Sequence, residues 1–300
     1  MPLPTASQLI PPALAGDPGG ALLAEIAAAA LRAADPAAAL RRFVARDGPA
    51  LIFKGQAQRL PAGGRWLAVG AGKAGAAMAG ALLEIAGELI AEGIVVVKDG
   101  HGALGRRLGP IDLPEAGHPF PDERGAAAAG RIARLLAGAT ERDGIIALLS
   151  GGGSALLTLP APGLALDDLR RATELLMHAG APIEELNTLR RHCERLKGGG
   201  MARLAWPARC EGLILSDVVG SPLHVIASGP LSADPTSPAD ALAIIERRGL
   251  AQRMPAPVMA HLRRAAGREA DQPGAAPWER VTLSIIGDNG DAQAAARMAA

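Results

Sequence analysis

Short Val/Ile/Leu runs that end in glycine alternate along the chain with alanine-rich stretches of helical period, a pattern that predicts β-α units around a buried parallel sheet. The apolar runs Trp66–Val69, Ile94–Val97, Ile145–Leu149 and Leu213–Leu215 are continuous, as suits strands covered on both faces, and Val281–Ile286 is a further strand candidate. Helices are predicted to begin near Lys73, Asp122, Ser154, Asp167 and Ile183. The expected fold class is α/β with a doubly wound, mostly parallel sheet in three layers. Such sheets place their ligands at the carboxyl ends of the strands.

Beyond Ser221 the pattern changes. Pro222, Pro230, Pro235 and Pro238 interrupt it, and a second proline-rich stretch from Met254 to Pro277 precedes the last strand. A domain boundary is therefore expected near residue 240, with a Rossmann-like unit over 1–240. Residues 241–300 are expected to form a linker and the start of a second α/β domain. The final segment, SIIGDNGDAQAAARMAA, opens a strand and a helix without a glycine cap or polar ending, so it reads as an interrupted unit.

Composition narrows the partners. The chain has 300 residues at 49% hydrophobic content, enough for a sizeable core and about two domains. Lys and Arg total 31 against 30 Asp and Glu, aromatics are 2% and Tyr is absent. Without basic residues interleaved with aromatic ones, no nucleic-acid groove is expected. No apolar span has the length of a bilayer crossing, so no membrane partner is expected either. The opening MPLPTASQLIPPALAGDPGG lacks a basic n-region and is broken by prolines, unlike a secretory signal. Cys193 and Cys210 alone make neither a disulfide framework nor a zinc site, and a reducing cytoplasm is the expected location. Alanine-rich helices pack closely within one chain or between two, which leaves a homodimer open.

Four loops carry candidate chemistry. Gly70-Ala71-Gly72-Lys73-Ala74-Gly75 follows the first strand, where small residues let backbone N–H groups approach an anion and Lys73 adds a point charge. The string also fits a dinucleotide GxGxxG pattern with Asp99 as the ribose partner, and an ordinary tight turn explains it as well. It is not a Walker A loop, since Ala74 stands where a metal-binding hydroxyl belongs. Ser150-Gly151-Gly152-Gly153-Ser154 follows the third strand, and three ordered glycines between two hydroxyls suit a phosphate cradle or a flexible turn. On a helix, Asn187, Arg190 and Lys197 fall at spacings of three and seven and share a face, Arg190 offering a fork for a carboxylate or phosphate. A solvated charged helix would account for the neighbouring charges. Asp217, at the end of Leu213–Leu215, suits a magnesium ligand, a general base or a helix cap. His118, between Gly117 and Pro119, ranks as a structural group, and Asp122 as the cap of the next helix.

Taken in order, VGAGKAGAAM, KDGH, EAGHPFPDE, LLSGGGSALL, NTLRRHCERLKGGGMA and LILSDVVG with VIASGP resemble the successive motifs of glycerate 2-kinases of the MOFRL type, over about residues 20 to 245. The resemblance implies ATP-dependent, magnesium-dependent phosphorylation of the 2-hydroxyl of D-glycerate, or a similar hydroxy acid, in a Rossmann-like domain facing a second domain. It implies that Lys73 neutralises charge on the transferred phosphoryl group and that Gly70, Gly72 and Ser150–Ser154 cradle phosphate or substrate. It further implies that Asn187, Arg190 and Lys197 form a polar binding helix, with Arg190 on the carboxylate, and that Asp217 serves as metal ligand or base. Four positions depart from the family pattern: Glu194 replaces Ser, Ser221 an acidic residue, His224 Asp, and Leu231 Thr. The family's GRGGR-like and DGPTDAAGA-like loops have no counterpart in these residues and are expected beyond Ala300. Two alternatives remain at this level: an NAD(P)-dependent dehydrogenase of a small hydroxy acid, and a non-catalytic nucleotide-binding remnant.

Overall fold

A computed structural model of the chain describes residues 3–102, 105–268 and 277–300. The N-terminal part supplies α1 (Ala6–Leu9), α2 (Pro18–Ala33) and α3 (Pro36–Phe43), then a small antiparallel sheet of β1 (Val44–Asp47), β2 (Ala50–Phe53) and β3 (Gln56–Gln58). α2 and α3 start by the same device. Asp17 and Asp35 accept hydrogen bonds from the Gly19 and Ala38 N–H groups, and a proline follows where no N–H is needed.

The central sheet contains β4 (Trp66–Ala71), β5 (Ile90–Lys98), β6 (Arg107–Leu108), β7 (Ile111–Asp112), β8 (Glu115–Ala116), β9 (Gly144–Ser150), β10 (Arg209–Leu215) and β11 (Val281–Gly287). Their order is β11-β10-β9-β4-β5-β7-β6, with β8 pairing farther along β5. The long strands are all parallel, and β6 is antiparallel to β7. Every residue of β4 and β9 is buried, which is why their sequences read as unbroken apolar runs. The five strands expected from those runs all form.

The remaining helices are α4 (Gly75–Ala86), α5 (Glu123–Ala137), α6 (Gly153–Leu156), α7 (Leu166–His178), α8 (Ile183–Cys193), α9 (Gly200–Ala205), α10 (Pro238–Arg247), α11 (Ala256–Arg268) and α12 (Asn289–Ala299). Side chains alternate across the sheet. Leu67, Val69 and Ala71 pack toward Ile132 and Leu136 of α5 and Met201 of α9. Ala68, Val95 and Val97 pack toward Met78 and Leu82 of α4 and Leu40 of α3. A third cluster joins α7, α8, α10 and α11 through Leu169, Leu176, Leu189, Ile245 and Leu262.

The boundary expected near residue 240 is not a break in this packing. α10 and α11 pack on α7 and α8, β11 pairs in parallel with β10, and α12 packs on α2. Residues 241–300 thus pack on the same sheet and helices as the residues before them. The prolines that implied a linker serve other ends: Pro238 occupies the first turn of α10, capped by the Ser237 hydroxyl. The stretch Met254–Pro277, expected to be irregular, holds α11, and its residues 269–276 lie outside the described ones.

The winding determines where a ligand can bind. From β4 the chain moves outward to β5 and β7, then crosses back to β9 on the other side of β4 and continues to β10 and β11. The direction reverses between β4 and β9, so the loops leaving their carboxyl ends diverge and open a crevice.

The opposite end of this strand pair is held by Asp143, whose buried carboxylate accepts from the Arg65 backbone N–H (2.9 Å) and guanidinium (3.2 Å) and from the N–H (2.8 Å) and hydroxyl (3.0 Å) of Thr140. Burial alone would raise its pKa, but these hydrogen bonds outweigh it and pull the carboxyl down to about 2. A carboxylate depressed on folding stabilises the protein above its unfolded pKa of about 3.9 and ceases to do so as pH falls through its folded value. Asp143→Asn is therefore expected to cost about 2 kcal/mol at pH 7. The difference from the parent, read by urea unfolding across a pH series, should shrink between about pH 4 and pH 2.

Candidate active site

The loops after β4 and β9 are bonded to each other. The Lys73 N–H donates to the Gly151 carbonyl (2.9 Å), and the Ala74 N–H donates to the Ser150 hydroxyl (3.1 Å). Gly72, at φ +144°, is pressed against Ser150: a Cβ there would stand 2.0 Å from the Ser150 Oγ. Gly70 has a different role from the one expected. It lies inside β4, where a Cβ would meet the Leu148 carbonyl oxygen of β9 at 2.0 Å, so it permits strand packing and does not face the crevice.

Each glycine of the Gly151–Gly153 loop makes room for a particular group. A Cβ on Gly151 would stand 2.0 Å from an Asp217 carboxylate oxygen, and one on Gly153 would stand 2.8 Å from the Ala227 Cβ. Gly152, at φ +88°, lies under the His118 ring and the Lys73 stem, which a Cβ would meet at 3.1 and 3.4 Å. The loop is thus tightly packed, and the Gly151 and Gly152 N–H groups meet no backbone carbonyl among the described residues.

Lys73, Ser150, Gly151, Ser216, Asp217 and Asp288 line a cavity of about 230 Å³ at this point. Asp217 caps no helix, since turns follow β10. Asp288 ends β11 and caps α12 by accepting from the Gly290 N–H (2.7 Å), and it lies 3.5 Å from the Ser221 hydroxyl. Sequence reasoning missed Asp288, although GDNGD carries the same strand-end signal as Asp217, because the segment was assigned to another domain.

His118 is better placed than its sequence rank implied. Gly117 N–H donates to Asp122, which also caps α5 through the Gly125 N–H, and this fixes the turn that carries the imidazole to Gly152. Partial burial, with the nearby Lys73, Lys98 and His101, lowers its pKa against an opposing pull from Asp217, which favours the neutral ring.

On the other side of Gly152 and Gly153 is a second cavity, of about 150 Å³, lined by Ser154, Thr158, Arg190 and Glu194 together with apolar groups. Arg190 has no hydrogen-bond or ion-pair partner among the described residues, and burial disfavours its charge with only Glu194 nearby to offset this. Asn187 reaches neither cavity. Its buried Oδ1 accepts from Ser228 Oγ (3.0 Å), which lies 3.0 Å from Ser154 Oγ, so Asn187 braces the glycine loop from behind.

Lys197 also departs from expectation. α8 ends at Cys193 and Glu194 is extended, so the seven-residue spacing does not carry Lys197 onto the face of Arg190. It is fully buried, donating to Glu194 (2.5 Å) and to Thr158 (3.3 Å), and cannot reach a ligand. Burial pushes the Glu194 carboxyl up and the Lys197 ammonium down to about 8. Lys197→Met, which strands a buried carboxyl, is expected to cost about 3 to 5 kcal/mol in denaturant unfolding. Replacing Glu194 by Leu as well should restore most of that.

Asp99, the ribose partner of the dinucleotide reading, is held by both terminal nitrogens of Arg124 at 2.7 Å. A larger cavity of about 740 Å³ lies away from the strand ends, between Arg191, Arg203 and Trp278. Two of its arginines are already engaged, Arg191 with Asp234 at 2.8 Å and Arg203 with the Gly198 carbonyl at 2.9 Å. Both cysteines are free and buried, and burial raises their pKa. No helix among the described residues is long and apolar enough to cross a membrane.

A doubly wound sheet with glycine loops, a lysine and aspartates gathered where its winding reverses defines an α/β protein of the Rossmann-like class with a crevice at its strand ends. The chain belongs to the family described as a domain of unknown function, DUF4147, whose pattern matches residues 22–263. It is 43% identical over 189 residues to a D-glycerate 2-kinase of Thermotoga maritima, covering 62% of this chain and 44% of that protein. It is 37% identical over 243 residues to a glycerate 2-kinase of Pyrococcus horikoshii, covering 81% and 53%. It is also 46% identical over 187 residues to an Agrobacterium vitis protein provisionally named hydroxypyruvate reductase, covering 62% and 42%. Among solved structures, a Pyrococcus horikoshii OT3 protein superposes with a TM-score of 0.82 at 35% identity, covering 93% of this chain and 62% of that one. The chain spans about half the length of the curated relatives it matches.

Proposed function

We propose that the protein is an ATP-dependent kinase acting on the 2-hydroxyl of D-glycerate to give 2-phosphoglycerate, and that this chain carries its phosphoryl and carboxylate sites. One observation carries the reading: Lys73, Gly151 and Asp217 share one cavity, and unpartnered Arg190 faces another just across Gly152 and Gly153. Phosphoryl transfer depends mainly on positioning and charge stabilisation, and these residue types supply both.

Lys73 and the free Gly151 and Gly152 N–H groups hold and neutralise the phosphoryl oxygens. Arg190 binds the acceptor carboxylate. Neutral His118, packed over Gly152, accepts the hydroxyl proton. The donor set also fits magnesium. Asp217 and Asp288 line the phosphoryl cavity, no cluster of three or more His, Cys, Asp or Glu occurs among the described residues, and magnesium is commonly held by one or two carboxylates plus nucleotide phosphates and water. When bound, it supplies charge neutralisation to the group in transfer.

A nicotinamide-dependent reductase is favoured only by the GAGKAG string and one relative's name. Asp99 is committed to Arg124, which removes the ribose partner that reading needs. The deciding assay offers D-glycerate, ATP and magnesium and follows 2-phosphoglycerate, with hydroxypyruvate and NAD(P)H in parallel. Product in the first reaction alone is expected. Nicotinamide oxidation without phosphoryl transfer would reverse the assignment.

A further inference from the structure

The cavity at Arg190 presents more hydrocarbon than polar surface. Phe120, Pro121, Ala155, Leu169 and Met177 form its walls. Apart from the Thr173 hydroxyl, most of its other polar groups already have partners. Ser154 Oγ pairs with Ser228 Oγ (3.0 Å), Thr158 Oγ1 donates to the Ser154 or Ala155 carbonyl (3.2 Å), and Arg170 donates to the Pro121 carbonyl (2.8 Å). Glu194, paired with Lys197 at 2.5 Å, offsets Arg190 only in part, and Glu174 faces Arg171 at 4.0 Å. A cation with no direct partner in a largely apolar cavity calls for an anion with a hydrocarbon body. A second hydroxyl on the ligand, such as that on C3 of glycerate, would lose its water there and find few free partners.

We propose that this cavity takes 2-hydroxy acids with an apolar substituent at C3 and binds them more tightly than glycerate. The inference rests on reading Arg190 as the carboxylate anchor. It adds a substrate class that the polar residues alone do not define, because Lys197 is absent from the lining and apolar walls take its place.

Calorimetry without nucleotide tests this, using D-glycerate, D-2-hydroxybutyrate and D-2-hydroxyisovalerate as probes. Both apolar acids should bind tighter than glycerate, with about a fourfold gain for each additional buried methylene. Arg190→Gln should weaken all three by about tenfold or more. Phe120 is exposed at the cavity's rim, so Phe120→Ser should leave the fold intact and weaken the apolar acids more than glycerate, shrinking their advantage. Glycerate binding as tightly as the apolar acids, an advantage unchanged in Phe120→Ser, or no binding of any acid would overturn the proposal. Formation of 2-phosphoglycerate that the apolar acids do not inhibit would end this inference and leave the kinase reading standing. Tight binding of those acids with no phosphoryl transfer would do the reverse.

Discussion

Lys73→Met is expected to lower phosphoryl transfer to glycerate by about a thousandfold while the protein unfolds at nearly the parent temperature. Charge on the transferred group has to be met by fixed donors, and Lys73 is the cation among the residues lining the phosphoryl cavity. Losing one preorganised donor commonly costs a hundred- to a thousandfold, and a full positive charge belongs at the upper end. Stability should be spared because the hydrogen bonds Lys73 makes to the fold come from its backbone, to Gly151 and to the His101 ring. Steady-state kinetics alongside thermal unfolding separates the two effects. A variant that keeps its rate would remove Lys73 from the chemistry, whatever happens to its melting temperature.

The second large effect contrasts Gly70→Ala with Gly151→Ala. Both substitutions bring a methyl to 2.0 Å from an oxygen, but the oxygens differ in their freedom to move. At Gly70 it is the Leu148 carbonyl, fixed in the ladder between β4 and β9 at the centre of the sheet. Relief requires strand displacement, so Gly70→Ala should cost about 3 kcal/mol or more, or fail to accumulate as folded protein. At Gly151 the obstruction is the Asp217 carboxylate, the end of a side chain that can rotate away. Gly151→Ala should therefore stay folded, within about 1 kcal/mol of the parent, yet lose about a hundredfold in turnover because Asp217 leaves its place. Denaturant unfolding and turnover on the same preparations read both outcomes. Equal stability losses would mean that Asp217 is held as rigidly as the sheet.

What could be read from the sequence follows the physics of burial. Trp66–Ala71 and Gly144–Ser150 are covered on both faces, and that leaves a continuous apolar run that nothing else in the chain imitates. The strands β1–β3 and β6–β8 have two to four residues each, too short for a period to register. Proline was the misleading signal after Ser221, because a proline at a helix start and one in a linker look alike until the helix is seen to pack. The end of α8 was equally hidden. Nothing in HCERLK announces that Glu194 becomes extended, yet that turn sends Lys197 into the core, away from Arg190.

The candidate site was legible as residue types and strand ends, which is how Lys73, Ser150, Gly151 and Asp217 were found. It was not legible as geometry. That Gly151 admits Asp217 and Gly152 admits His118 and Lys73 depends on elements far apart in the chain meeting at one loop. The unpartnered state of Arg190 likewise depends on Glu194 having been claimed by Lys197.

A crystal of the protein grown with manganese and a non-hydrolysable ATP analogue offers the most direct view of the crevice. An anomalous peak bonded to Asp217 or Asp288, with the terminal phosphate against Lys73 and the Gly151–Gly152 amides, is the expected result. Metal and phosphates lodged instead in the cavity between Arg191 and Arg203, with Lys73 and Asp217 untouched, would contradict the account.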